Sequence, residues 1–334
     1  MLTAIIIILG ASFILYALLG GADFGAGIIE TFAGRKGEKT ISKAMAPVWE
    51  ANHVWLILAV VILFTAFPLV YSSLSFVLHI PLMVVLAGII FRGTAFAFRH
   101  YDAIEDSSHK YYTFLFKLSS FITPFFLGII LGAMILGRIT FDPAAGFREK
   151  FLEPWFNIFC MVMGIFSGSL FAYISAIFLV GEAKSDLERI RYVVFSKRIM
   201  LLTAMAGMSV FVIAKLEGHD LLKEFLRSVP SVTMLVLATL LSPFIWILLK
   251  RKTNKTLYLR MAVALQVSSI IIGWFYIQYP VLIRVKTGDH LTFFNTQAPT
   301  ATLKQLLIAL IVGLLLVLPG FAYLFKIFKV KKKV

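Results

Sequence analysis

LTAIIIILGASFILYALLGGADFGAGII, residues 2 to 29, carries a single charged side chain, Asp23. A membrane-spanning helix needs about 20 mostly apolar residues, and this stretch exceeds that length. Its apolar character is continuous, whereas the strands of a membrane barrel would alternate in and out over about ten residues. The reading is therefore a transmembrane helix. Met1 to Gly21 holds no Lys or Arg, so it lacks the basic leader of a secretory signal and is expected to be retained. Working outward, eight further runs of similar kind follow: 47 to 70, 77 to 98, 114 to 137, 156 to 180, 199 to 216, 231 to 249, 257 to 279 and 303 to 325. With 60% apolar and 15% charged residues, a water-soluble globular domain is excluded. The expected fold is an all-α, polytopic membrane protein with nine transmembrane helices, forming one domain over residues 1 to 334.

The formal net charge is +15, and its placement matters more than its size. Nine spans put alternate loops on one side, and 21 of the 32 Lys and Arg fall on the side of the 30–48 loop and the KVKKKV tail, against eight on the other. The positive-inside rule then places the N-terminus outside and the tail in the cytoplasm. This accounts for the basic balance without nucleic acid. The longest outside segments, 138 to 155 and 280 to 302, contain Pro143, Pro154, Pro280 and Pro299 and read as turns. One cysteine, Cys160, excludes an intrachain disulfide, a Cys-x-x-Cys pair, a thiolate cluster and c-type haem attachment. No metal-ligand spacing, Walker loop or dinucleotide fingerprint occurs. His53 and His79 belong to opposite leaflets and cannot share one haem iron.

Ionisable groups at bilayer depth cost about 2.5–3.5 kcal/mol each on insertion scales, so those retained there are candidates for ion or proton handling. Asp23 lies in GGADFGAG, where Gly20, Gly21, Gly25 and Gly27 allow a neighbouring helix to approach; it is expected to face protein. Glu50 follows Pro47 at the start of the second helix, with His53 one turn on. Because the first helix runs inward and the second back outward, Asp23 and Glu50 share the inner leaflet. Two readings stand. In one, Asp23, Glu50 and His53 pass protons inward from the cytoplasm. In the other, Glu50 complements its helix dipole and Asp23 pairs with an interfacial cation such as Arg35 or Lys43. Arg92 is expected to snorkel to the headgroups, and Arg99, His100 and Asp102 to sit at the wet surface. Trp49, Trp55, Trp155, Trp246 and Trp274 read as an interfacial aromatic belt.

Three motifs carry a family resemblance: GADFGAG at 21 to 27, APVWEANHVWLI at 46 to 57 followed by FPLVY, and FRGTAFAFR at 91 to 99. They resemble subunit II of cytochrome bd-type quinol oxidase, a terminal oxidase that couples quinol oxidation to reduction of O2 to water. The resemblance implies two four-helix bundles, here 1 to 137 and 156 to 279, plus a ninth peripheral helix at 303 to 325. It further implies a heterodimer with subunit I in a bacterial or archaeal cytoplasmic (inner) membrane, the partner holding two haems b, one haem d and the quinol-oxidising site. Accessory small subunits and a structural quinone are left open. For this chain the resemblance implies stabilisation of subunit I and a cytoplasmic proton-uptake path through Asp23, Glu50 and His53, supported by Trp49, Asn52, Trp55, Arg92 and Arg99. No catalytic residue and no cofactor of its own are expected. The sequence departs from the family at Gly20, where many relatives carry a second Asp, and at Glu50, where Asp is common. The rival readings are a secondary transporter, suggested by inner-leaflet carboxylates and by Pro124, Pro243 and Pro319 within helices, and a purely structural membrane subunit.

Overall fold

The computed structural model describes residues 1–101, 109–183, 185–250 and 256–330, leaving aside the side chains of 33–40, 42–51 and a few positions at helix ends. The first element, α1 (Leu2–Ala66), folds back on itself. Asn52 Nδ2 lies 3.4 Å from Asp23 Oδ2, 29 positions earlier, whereas a straight helix would separate them by about 43 Å. Its two limbs, Leu2–Phe32 and Asn52–Ala66, therefore run side by side in opposite directions. At the far end of the second limb, Ala59, Ile62 and Ala66 share a core with Ile5, Ile6 and Leu9 near the chain start.

The second limb ends sooner than the expected boundary at Val70. Phe67 leaves the helical region at φ −133°, ψ 59°, because Pro68 crowds the backbone of the preceding residue and offers no N–H to continue the ladder. The chain resumes as α2 (Pro68–Val77), bent by 112° from the limb before it. Val70, Ser73, Leu74 and Val77 are buried while Leu69 and Phe76 are exposed, so α2 lies across the end of the helices with one face down. Then follow α3 (His79–Tyr101), α4 (His109–Leu136), the short α5 (Phe147–Phe151), α6 (Ile158–Val180), α7 (Asp186–Leu216), α8 (Leu221–Arg227), α9 (Val229–Lys250) and α10 (Thr256–Gln278). A two-stranded hairpin, β1 (Val281–Ile283) and β2 (Leu291–Thr292), precedes α11 (Thr300–Val330). Among the described residues eight helices are long and apolar enough to cross a membrane, or nine if the bent pair is one span. The chain is a polytopic all-α membrane protein.

Helix α1 packs on α6, α4 and α11, while α3 pairs with α4, α6 with α7, and α9 with α10. Close contact of α1 with α6 depends on Gly25, since a Cβ there would collide with the Phe171 carbonyl. The loops opposite the Lys/Arg-rich end are more ordered than turns alone. β1 and β2 pair antiparallel with Val281 opposite Thr292, and Val285 bridges to Ile139. Ion pairs Arg284–Glu224 (2.7 Å), Arg138–Glu217 (2.9 Å) and Lys286–Glu149 (2.8 Å) tie these segments into a cap. The hydrogen bond to Glu149, with the charge of that carboxylate, holds the Lys286 ammonium above the ordinary lysine range.

Candidate functional site: a buried ladder of ion pairs

On the first limb of α1, Tyr16, Gly20, Asp23, Gly27 and Glu30 recur at alternating steps of four and three, which places them along one stripe of a helix. On α3, Arg92 and Arg99 are seven apart, again two turns on one face. These two seven-residue intervals match, and the side chains meet as rungs. Arg92 NH1 donates to Asp23 Oδ2 at 2.5 Å, NH2 to the Asp23 carbonyl at 2.6 Å, and Nε to Ser120 Oγ on α4 at 2.9 Å. One rung nearer the Lys/Arg-rich end, Arg99 grips both oxygens of Glu30, at 2.9 and 3.5 Å. Lys117 Nζ of α4 stands 3.9 Å from Glu30 Oε1. The Phe116 ring separates the rungs, with each guanidinium 4.7 Å from its centroid, and Phe24 covers Arg92 at 4.6 Å. Gly27 makes room for this crossing, because a Cβ would strike Ser120 Oγ.

Burial decides how strongly these groups depend on each other. Arg92 is 2% exposed, Asp23 not at all and Glu30 1%. Bulk solvent does not reach these groups, so each charge depends on its counter-charge. The arrangement overturns three expectations. Arg92 does not snorkel: it points into the interior, where Asp23 and two aromatic rings are better company than the headgroups. Arg99 is drawn off the wet surface, its side chain only 11% exposed. Trp55 and Trp155 are buried, Trp55 against Phe321 of α11 at 6.0 Å and Trp155 with its indole N–H on the Phe151 carbonyl, instead of forming an aromatic belt.

Of the residues singled out in the sequence, Asp23, Asn52, Arg92 and Arg99 come together. His53 is half-buried within electrostatic reach of Asp23 and Arg92. The side chains of Trp49 and Glu50, of Arg35 and Lys43, and that of His100, with all of Asp102, lie outside the described residues. Sequence reasoning missed Glu30, Lys117, Ser120, Phe116 and Tyr16. Glu30 had been assigned to a loop because the apolar run stops at Ile29, yet its spacing from Asp23 repeats that of Arg92 and Arg99.

Not every polar atom here finds a protein partner. Tyr16 Oη, Asp23 Oδ1, Asn52 Oδ1 and Trp55 Nε1 are buried with none among the described residues, a deficit of about 1–3 kcal/mol each if left dry. A second buried polar cluster is bonded internally: between α6, α9 and α10, Tyr173 Oη donates to Gln266 Oε1 at 2.9 Å, and Gln266 Nε2 donates to Ser242 and the Ala238 carbonyl, beside a cavity of about 300 Å³. No group of three His, Cys, Asp or Glu side chains able to hold a metal ion occurs among the described residues.

Fold and site together define a class: a multi-pass helical membrane protein whose interior charges are paired between helices. Within that class the chain belongs to the cytochrome bd terminal oxidase subunit II family, whose profile matches residues 1–328. It is 26% identical over 220 residues to the cytochrome bd-I ubiquinol oxidase subunit 2 of Escherichia coli K12, an alignment covering 64% of this chain and 57% of that one. It is 31% identical over 134 residues to the cytochrome bd ubiquinol oxidase subunit 2 of Bacillus subtilis 168, 39% of each chain. The chain thus matches little more than half the length of the first of these relatives. The solved bd oxidase of Geobacillus thermodenitrificans superposes with a TM-score of 0.79 over 98% of both chains at 22% identity, a likeness of fold.

Proposed function

We propose that this chain is the haem-free subunit of a quinol:oxygen oxidoreductase, holding a haem-bearing partner in place and supplying it with protons from the cytoplasm. Two four-helix bundles and a peripheral α11 would form the body that docks on that partner. Quinol, O2, two haems b and one haem d belong to the partner subunit, and electrons stay there. The observation that carries the reading is the placement of Asp23 and Glu30 two turns apart in the interior, where an ionisable side chain is a functional candidate by default.

Reduction of O2 to water consumes a proton for every electron, and a proton crossing a low-dielectric interior needs negative charge along its way. Asp23 and Glu30 are such groups, paired with Arg92, Arg99 and Lys117. Protons would enter at the Lys/Arg-rich end, pass Glu30, Glu50 and His53, and reach Asp23. His53 suits a relay because imidazole exchanges protons near neutral pH. The test is turnover against haem content in Asp23→Asn and Glu50→Gln variants of the whole complex. Oxygen consumption should fall while the haem spectrum stays nearly intact; full activity in both variants rejects the proton role.

One observation favours a purely structural reading: Arg92 binds α1 and α4 from α3 by three hydrogen bonds, as a clamp would. If the clamp were its whole purpose, Asp23→Asn would lose haem and turnover together, since the partner would detach.

A further inference from the structure

Helices α6 and α7 pack against each other along their lengths, as do α9 and α10, yet α7 and α9 scarcely touch. The gap between them leads into the cavity of about 300 Å³, given width by Ala204 and Gly207 on α7 and Ala238 on α9. One end of this slot is stopped by Phe211, Phe225 and Trp274, whose ring centroids stand 5.4 to 6.4 Å from one another. Along α7 the lining runs from Met200 to Phe211, about 16 Å of helix. That is close to one leaflet of a hydrocarbon core about 30 Å thick.

The other end carries charge. Lys197 lies three residues before Met200, and Trp246 four after Ser242, so each continues a lining stripe by one turn. They meet across the gap, Lys197 Nζ 5.2 Å from the Trp246 ring centroid. Arg198 is exposed at the same level. Among the described residues neither cation is paired with a carboxylate.

The walls decide what can enter. Tyr173 donates to Gln266, Gln266 to Ser242 and the Ala238 carbonyl, and Ser242 to that same carbonyl. Thr203, Thr239 and Ser269 donate to backbone carbonyls. Every hydroxyl and side-chain amide of the lining is thus engaged, with none left for a quinone carbonyl or a polar headgroup inside. The slot suits an apolar chain, which restores the dispersion contacts that an empty groove forfeits, and the mouth suits an anion. We propose that it binds one anionic phospholipid, its acyl chain between α7 and α9, its phosphate on Lys197 and Arg198, and its glycerol against Trp246. The Lys197 ammonium can rest on the indole face and still donate to phosphate, and Trp favours the headgroup level. The site is independent of the proton-supply reading.

The test uses the intact oxidase complex in vesicles doped with phosphatidylglycerol that carries a photoactivatable diazirine on its acyl chain. After irradiation, mass spectrometry locates the adducts. Leu170 and Ile270 on the floor of the slot should be labelled at least as strongly as Leu202 and Met205, which are 54% and 57% exposed on the other side of α7. A phosphatidylcholine probe with the same chain but no net charge should lower this floor-to-surface ratio about fivefold, and so should the double variant Lys197→Gln, Arg198→Gln with the phosphatidylglycerol probe. Unlabelled Leu170 and Ile270 overturn the proposal, whether the slot is empty or held by a quinone tail. A ratio that either change leaves unmoved overturns it too.

Discussion

Arg92 shows why a single interior charge cannot be judged by itself. Its guanidinium gives up hydration for one carboxylate, one carbonyl, one hydroxyl and two aromatic faces, and what it repays is the charge on Asp23. Replacing Arg92 by Met leaves Asp23 buried without a counter-charge, which should destabilise the folded subunit by about 3–5 kcal/mol. The double variant Arg92→Met, Asp23→Leu removes both charges and should recover most of that loss, since a well-packed apolar pair is often no worse than an ion pair. Thermal denaturation of the purified complex measures both; equal losses in the single and double variants would show that the charges do not act as a pair. At this scale legibility was uneven. Asp23 was plain in the sequence because a lone carboxylate in an apolar run has few explanations. Arg92 was not, because a long cationic chain near a helix end has two low-energy options, and only the position of Asp23 and Ser120 on neighbouring helices selects the inward one. Glu30 was hidden by treating the end of an apolar run as the end of the helix.

Elements were easier to read than their junctions. Each apolar run became a helix because length and continuous hydrophobicity leave a membrane segment no other way to satisfy its backbone. The bend at Phe67 and the crosswise α2 escaped, since hydropathy does not register a change of direction and Pro68 sits inside an apolar stretch. The hairpin of β1 and β2 escaped too: its strands are too short for an alternating pattern to be recognised. Glycine offers a sharper test of how the helices meet. Gly25 and Gly168 are both helical, but a Cβ at Gly25 would run into the Phe171 backbone, while at Gly168 nothing lies within 4 Å. Gly25→Ala must push α1 from α6 and should lower the melting temperature of the complex. Gly168→Ala should leave it unchanged or raise stability by about 0.5–1 kcal/mol through helix propensity alone. Matching effects at the two positions would mean that the α1–α6 contact is looser than described.

For the molecule as a whole, the decisive question is whether the second limb of α1 crosses the membrane, because the parity of crossings places every later loop. Asn52 lies beside Gly20 and Asp23, and Ile62 and Ala66 share a core with Ile5 and Leu9. The limb therefore runs beside the first from about the level of Asp23 to that of Ile5 in the opposite sense, which supports counting the bent pair as a crossing. We propose nine crossings, which would put the N-terminus and the lysine-rich tail on opposite sides, with the asymmetry of Lys and Arg directing the tail inward. Single cysteines make this testable without removing the native one, since Cys160 is buried. Asp289, in the exposed turn of the hairpin, and Leu187, exposed at the start of α7, lie on opposite sides under this topology. In intact cells a membrane-impermeant maleimide should label Asp289→Cys, and Leu187→Cys only after permeabilisation. The reverse pattern would invert the orientation, and with it the direction from which the Asp23–Glu30 ladder could draw protons. Labelling of both in intact cells would break the parity itself, leaving the second limb of α1 as a re-entrant segment.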